Sequence, residues 1–548
     1  MGTRGYYVYR YRKIYIVHYN HCDSYPDALG VEMLQCMQSY NAITKKKQEL
    51  GKILDKSKGR YYLNSDNDYV SNERPQNDLF IEWIYEIDLD RNIFHVNGIP
   101  FFDLECLPDT NAFLEYISKD HYGLVACSPV CPPKNRYKRP APQVVDNSDL
   151  ATYHSLVCTS TQATLSDLLP ISDVLSPDEH VRVSLLETLV GQCMFRPRIA
   201  SAIYELGLVS SHDQLTDNLW LVACAMANFA FVPQIFDAGV ISHPTMKRKE
   251  FTWVRDDTVV CISTHLDDEQ CLQACLSRLI NAILEQKDNP GDYFGVAFSV
   301  FHCAIVKVVK DAHLKTFSHT AALEFLPSFF ADSPSTPGIT ALARLGYRID
   351  PALFVRFVEI SRQPGTGEGE DEKSQATDDT PPNTSCAVLP LELWCEVALN
   401  LQLPDLLTFG LASKSCREIA SMVLRYPHVC GYRLVSVAKE KPKGLLRQYV
   451  FLRIACFSAV RARVPATVLV GLQSNKWLAG SMSVPFYCAK SPLSMHVTEI
   501  QPEVAKENLV EDEGDEEGDE DEYNEEDEGD DDDDDGDGDG DEWNFSGS

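Results

Sequence analysis

The sequence predicts a multidomain α+β protein. Three observations lead there: strand-like runs dense in Tyr, Val and Ile near the start, helix-period apolar stripes after about residue 150, and stretches too polar to pack at all. A chain of 548 residues exceeds what one hydrophobic core normally organises. With 44% hydrophobic and 10% aromatic residues, most of it has the material for a core.

Residues 1–130 read as an N-terminal module of α/β type. Tyr6 to Arg12 and Lys13 to Asn20 form a β-hairpin by composition, with a short polar break between them. The polar elbow Asn20 to Pro26 leads into a helix whose stripe is Leu29, Met33, Leu34, Met37 and Tyr40. A second strand pair, 81–89 and 92–98, is joined by Asp90-Arg91. Residues 131–150 follow as a Pro-rich, basic linker.

Over 151–361 the pattern turns helical. Ser176-Pro177-Asp178-Glu179 is a full start signal: a capping hydroxyl, a proline at the first helical position and a glutamate three residues after the cap. Val181, Leu185, Leu186 and Leu189 then mark its buried face. Two segments, 195–209 and 229–241, each end in a glycine (Gly207, Gly239) flanked by aliphatic residues, as helix ends do. The string from Asn218 to Ile241 resembles an armadillo-type repeat, which implies stacked helix pairs. The run Leu219 to Phe236 is interrupted by Asn228, Pro233 and Gln234, so its purely apolar part is shorter than a membrane span requires; it reads as a buried helix, and no membrane association is expected.

Residues 362–387 are a flexible linker by composition, 388–435 a small helical segment, 436–505 a C-terminal extension, and 506–548 a disordered acidic tail. Residues 511 to 542 hold 24 Asp and Glu and no Lys or Arg, so of the net charge of −32 only −8 belongs to the rest. A body this mildly acidic offers no broad basic surface, which argues against direct nucleic-acid binding. MGTRGYYVYRYRK lacks the apolar stretch of a signal peptide, and many of the 18 cysteines sit among apolar neighbours. Both point to a cytoplasmic or nuclear protein with reduced thiols. Lys134 to Arg139 is a short basic stretch that would suit a nuclear signal.

The most informative segment is LPLELWCEVALNLQLPDLLTFGLASKSCREIA, residues 389–420. Leu393, Val397 and Leu401 recur at spacing four, and Leu406, Leu407 and Leu411 begin a second apolar stripe. Leu389-Pro390, Glu392-Leu393, Asp405-Leu406-Leu407, Ser413-Lys414 and Arg417 complete an ordered series that resembles an F-box. Two positions depart from that pattern: Cys416, where Trp is common, and Asn400 before Leu401. The resemblance implies a non-catalytic substrate adaptor of a cullin–RING ubiquitin ligase. It would bind a Skp-type linker through Leu389, Pro390, Leu393, Val397, Leu401, Leu406, Leu407 and Leu411. An unknown protein substrate would be held by an upstream domain.

Two rival readings remain open at this level. The acidic tail and helical region would suit a scaffold or chaperone for basic proteins. The elbow His18 to Asp27 crowds His18, His21, Cys22, Asp23, Ser24 and Asp27 into one turn, a conceivable enzyme site, though a rigid polar turn explains it as well. The opening MGTRG and YNH-DSYP-LG elements resemble the start of a group of fungal proteins, a likeness that implies no activity. No cofactor or metal is expected: Cys127 and Cys131, like Cys271 and Cys275, lack the short paired spacing of a structural zinc site.

Overall fold

The computed structural model describes residues 3–39, 41–57, 68–77, 80–156, 162–232, 234–237, 248–311, 315–347, 354, 390–438, 452–471, 482–488 and 491–500. The expected linker 362–387, Leu389 and the acidic tail lie outside them.

The chain begins with the expected hairpin, β1 (Gly5–Tyr11) and β2 (Ile14–Asn20). Its two turn residues, Arg12 and Lys13, both have positive φ, 52° and 62°, as the twist of a tight hairpin demands. Neither is glycine, so the conformation needs support. Asp90 supplies it, its carboxylate accepting from both backbone N–H groups at 2.8 Å. The helices α1 (Val31–Gln38) and α2 (Ala42–Ser57) carry the chain across to β3 (Tyr69–Ser71), β4 (Trp83–Asp88), β5 (Ile93–Val96) and β6 (Ile99–Asp103). The resulting six-stranded sheet has the order β3-β2-β1-β4-β5-β6, with β1 and β4 parallel. A parallel pair needs a crossover, and α1 and α2 provide it. Tyr9, Ile16, Tyr85, Ile87 and Phe94 face one side of the sheet, packed on Met33, Leu34 and Met37 of α1 and on Phe113 of α3 (Thr110–Tyr116). Alternation puts Arg10, Glu86, Asp88 and His95 on the other side. A small ribbon, β7 (Ile117–Lys119) with β8 (Val125–Cys127), closes the module.

The Pro-rich linker is bonded to its neighbours along its length. The Tyr137 N–H donates to Phe101 O at 3.1 Å and the Gln143 N–H to Ser210 O at 3.1 Å, while Arg139 pairs with Asp267 at 3.0 Å. Proline's missing donor leaves such a segment unable to join a sheet, but does not stop its other residues bonding to neighbours.

Helices α4 (Asn147–Leu156), α5 (Leu165–Leu168), α6 (Pro177–Phe195), α7 (Pro197–Gly207) and α8 (Asp217–Asn228) follow. The expected capping box opens α6: Ser176 Oγ accepts from the Glu179 N–H, and Glu179 accepts from the Ser176 N–H at 2.9 Å. Beyond α8 the helical, armadillo-like expectation fails. The second copy of the repeat turns out of its helix at Phe229 and becomes β9 (Ile235–Phe236). After it come β10 (Phe251–Arg255), β11 (Thr258–Ile262), α9 (Glu269–Gln286), β12 (Gly291–Phe298), β13 (His302–Lys310), β14 (Lys315–His319), β15 (Leu323–Glu324) and α10 (Pro337–Tyr347). The runs TVVCI, YFGVAF and CAIVKVV are continuous and rich in β-branched residues, which suits strands covered on both faces better than an amphipathic helix. They form a sheet of order β10-β11-β12-β13-β14, with α9 bridging the parallel pair β11 and β12.

Three short helices come next, α11 (Leu391–Leu399), α12 (Leu403–Ala412) and α13 (Lys414–Val423). The chain ends its described part in β16 (His428–Val429), β17 (Tyr432–Val437), β18 (Ala455–Arg461), β19 (Val464–Val470), β20 (Met482–Cys488) and β21 (Ser491–Glu499). These join β9 in a seven-stranded sheet of order β20-β21-β19-β18-β17-β16-β9, where Ile235 pairs with His428. The expected C-terminal extension is therefore most of a sheet that also takes a strand from the middle of the chain. Helix α6 is bonded to it, Gln192 Nε2 donating to Gly471 O at 2.7 Å and Arg453 O at 2.9 Å. At Gly191 a Cβ would meet Leu452 O at 2.5 Å, so the approach requires glycine there. One hydrophobic core includes Leu186 and Leu189 of α6, Phe298 and Ile305 of the middle sheet, and Phe457, Val468 and Val497 of the last sheet. Among the described residues, no helix is long and apolar enough to cross a membrane.

Candidate protein-docking site

Helix α11 starts straight after Pro390, whose fixed φ directs the entering chain, and ends at Asn400, which caps it by donating its side chain to Glu396 O at 2.7 Å. Pro404 lies in the first turn of α12, where its missing N–H has no bond to lose. Ser413 caps α13, accepting from the Cys416 N–H at 3.1 Å. Together the helices enclose a small core of Ala398, Leu406, Ile419, Ala420, Val423 and Leu424, into which Ile235 and Phe354 also insert. A Cβ on Gly410 would come 2.2 Å from the Phe354 ring, so glycine here permits the approach of the helices to the body.

The outer side of this unit is apolar. Leu391 (53% exposed), Leu393 (49%), Val397 (40%), Leu411 (43%) and Met422 (45%) are all open to solvent. A third or more of the large apolar side chains that are exposed among the described residues thus fall within three short helices. Scattered singly, exposed leucines need no explanation; concentrated in one small unit they mark a surface for a partner. Residues 388–428 match the F-box domain.

Of the sequence-predicted contacts, Leu393, Val397 and Leu411 are exposed, Pro390 is exposed beside them, and Leu401 and Leu407 are half-buried. Leu406 is a correction. It is fully buried in the F-box core, because its turn of α12 faces α13, so its side chain is not presented outward. Leu389 lies outside the described residues. Leu391 and Met422 were not anticipated. Met422 had a signal, since it is the lone apolar residue on the otherwise polar side of a strongly amphipathic helix. Of the two departures from the F-box pattern, Cys416 is buried where the helices meet and Asn400 is an ordinary helix end. No curated protein and no solved structure matches the chain.

Two other constellations compete for attention. At the elbow, Asn20 Nδ2 donates to Ser24 Oγ at 2.9 Å and to Cys22 O, the Tyr85 hydroxyl donates to Ser24 O at 3.1 Å, and Asp23 has φ 53°. His18 Nδ1 lies 3.0 Å from Asp68, and its ring stacks on Tyr7 at 4.6 Å. These bonds build a braced polar turn, while Cys22 stands exposed at its tip.

The other lies on the second face of the N-terminal sheet, where Glu86, Asp88 and His95 are fully buried with ligand atoms within 4.8 Å of one another. Sequence reading missed it, though the alternation EID on β4 facing FHV on β5 carries it. Its carboxylates are already engaged. Arg74 grips Glu86 through two bonds, 2.7 and 3.1 Å, and Arg10 donates to Asp88 at 2.5 Å. Glu205 of α7 joins them, 3.2 Å from Arg74 and 2.5 Å from Arg91. Three guanidinium groups balance three carboxylates, so an added divalent cation would leave a large net charge buried. The cluster is a neutral ionic lattice joining the N-terminal sheet to α7.

Proposed function

We propose that this protein is a substrate adaptor of a cullin–RING ubiquitin ligase, without chemistry of its own. F-box domains bind Skp-type adaptors of such ligases. The observation that carries the reading is the F-box match at 388–428 coinciding with exposed Leu391, Leu393, Val397, Leu411 and Met422. An amphipathic helix with its apolar side outward is suited to lie in a partner's groove. Exposed apolar side chains at the centre of such a contact carry most of its energy, so a charge placed there acts strongly.

The test is co-purification of the full chain with a Skp-type linker, alongside a Leu393→Asp, Val397→Asp double variant. Wild type is expected to retain the linker and the variant to lose it, by roughly a hundredfold or more in affinity. Because both residues point away from the core, the variant should melt with the wild type. Equal retention by both proteins would remove the docking role from this face.

A further inference from the structure

A cavity of about 360 Å³ opens where the strap after the N-terminal module, the end of α7 and the segment following β15 converge. Its size is in the range of a specific ligand site. It is unusually aromatic: Tyr204 and Phe329 stack at 4.5 Å, and Phe301, Phe330 and Tyr137 complete the walls.

The polar groups decide what such a cavity accepts. Arg139 is neutralised by Asp267, 3.0 Å away, and lays its guanidinium over the Phe301 ring at 5.5 Å. Glu324 is exposed on the wall, and among the described residues no ion pair engages its carboxylate. His302, the register partner of Glu324 across β13 and β15, and Ser328 are the other polar residues of the lining. With Arg139 already paired to Asp267, the charge left on the wall is that of Glu324, among ring faces whose quadrupoles attract cations. The chain's own Arg139 shows one ring already holding a guanidinium.

We infer that this pocket receives a basic side chain, a lysine or arginine, presented by a partner protein. The cation would sit against the aromatic faces and pair with Glu324, while its alkyl stem replaces water along apolar walls. The inference rests on the adaptor reading for the purpose of that partner, since an adaptor needs a second surface for its substrate. The binding itself is independent of the F-box helices and is measured without a linker protein.

The experiment uses the full chain with four capped tripeptides, alike except for a central arginine, lysine, glutamate or phenylalanine, followed by ligand-observed NMR in 150 mM salt. The two basic peptides are expected to bind. Glu324→Gln should weaken them roughly tenfold, and Phe330→Leu, which keeps apolar volume but removes the ring, should weaken them several-fold. Both variants should melt like wild type, since Glu324 is exposed and Phe330 only half-buried. The acidic tail attracts cations too, but binding there is indifferent to both substitutions. Basic-peptide binding unchanged by either substitution overturns the proposal, as does preference for the glutamate or phenylalanine peptide, or no binding of any peptide.

Discussion

His95 is the residue most at odds with its surroundings. Its side chain is fully buried and both ring nitrogens lack a hydrogen bond; Asp88, 3.9 Å from Nε2, is too far to supply one. Burial first, and Arg74 second, push the imidazole down to about 3, against an ordinary value of roughly 6.5. Between those values the unfolded chain binds a proton that the folded chain refuses. Stability from this residue is thus complete above about pH 6.5 and falls as the pH drops toward 3. Glu205 behaves in the same direction lower on the scale. Burial would raise it, but Arg74 and Arg91 prevail and hold it at about 2, so its contribution is lost only as the pH falls below the ordinary carboxylate range. His95→Leu should accordingly flatten the stability profile between pH 6.5 and 3, and at pH 8 should be neutral or stabilising by about 1 kcal/mol, because it removes unsatisfied polar atoms. Denaturant midpoints followed by tryptophan fluorescence at pH 5 and 8 give the answer. An equal loss at both pH values would mean that the imidazole makes a bond that matters to the fold.

At the scale of the element, α6 joins local and distant structure. Its capping box is entirely local, and Ser176→Ala should lower stability by about 1 kcal/mol. Glu179 has a second duty: its carboxylate also accepts from Arg344 of α10, at 2.9 and 3.3 Å, in a pair almost wholly out of solvent. Glu179→Ala removes half of the box and strands a buried guanidinium, so its loss should be larger, about 3 kcal/mol or more. A ratio near one between the two, read from urea midpoints, would show that Ser172 O, which also accepts from Arg344 at 2.6 Å, is enough to hold the guanidinium. The same helix shows what a sequence can reveal. Ser176, Pro177 and Glu179 announced the start because capping is settled within four residues, and Arg12-Lys13 between two apolar runs announced the hairpin for the same reason. The burial of Arg182 and Gln192 was illegible. Arg182 donates to Arg425 O, and Gln192 to Gly471 O, more than two hundred residues away, and no local periodicity encodes such partners. The pairing of Ile235 with His428 was hidden likewise: a two-residue strand has no pattern of its own. In the F-box the series from Leu393 to Leu411 was legible, but which leucines turn inward was not, because Leu406 is buried by α13 and Phe354 rather than by its own helix.

For the whole molecule, these distant partners mean that the F-box is mounted on the body. The chain leaves it directly into β16, which pairs with β9; Arg425, just beyond α13, lies over the Tyr347 ring of α10 at 4.4 Å, and Arg182 of α6 donates to its carbonyl. Ile235 and Phe354, both upstream, complete the F-box core. On the proposed adaptor reading, a substrate held elsewhere on the body would keep a fixed distance from a partner on the F-box. It also means that the last sheet is part of the body and not an appendage. Cutting the chain after residue 438 would remove Phe457, Val468 and Val497, expose the α6 face that packs on them, and leave Gln192 without its two acceptors. Losing several buried aliphatic and aromatic side chains at 2–5 kcal/mol each exceeds the total stability of an ordinary domain. The truncated chain should therefore be insoluble or fully protease-sensitive, with early cleavage inside α6, whereas the full chain should resist there. The distinction is sharp in limited proteolysis read by mass spectrometry. A soluble fragment with α6 still protected would show that the helical layer and the middle sheet stand without strands β18 to β21, with the F-box still anchored through Ile235, Phe354 and β16.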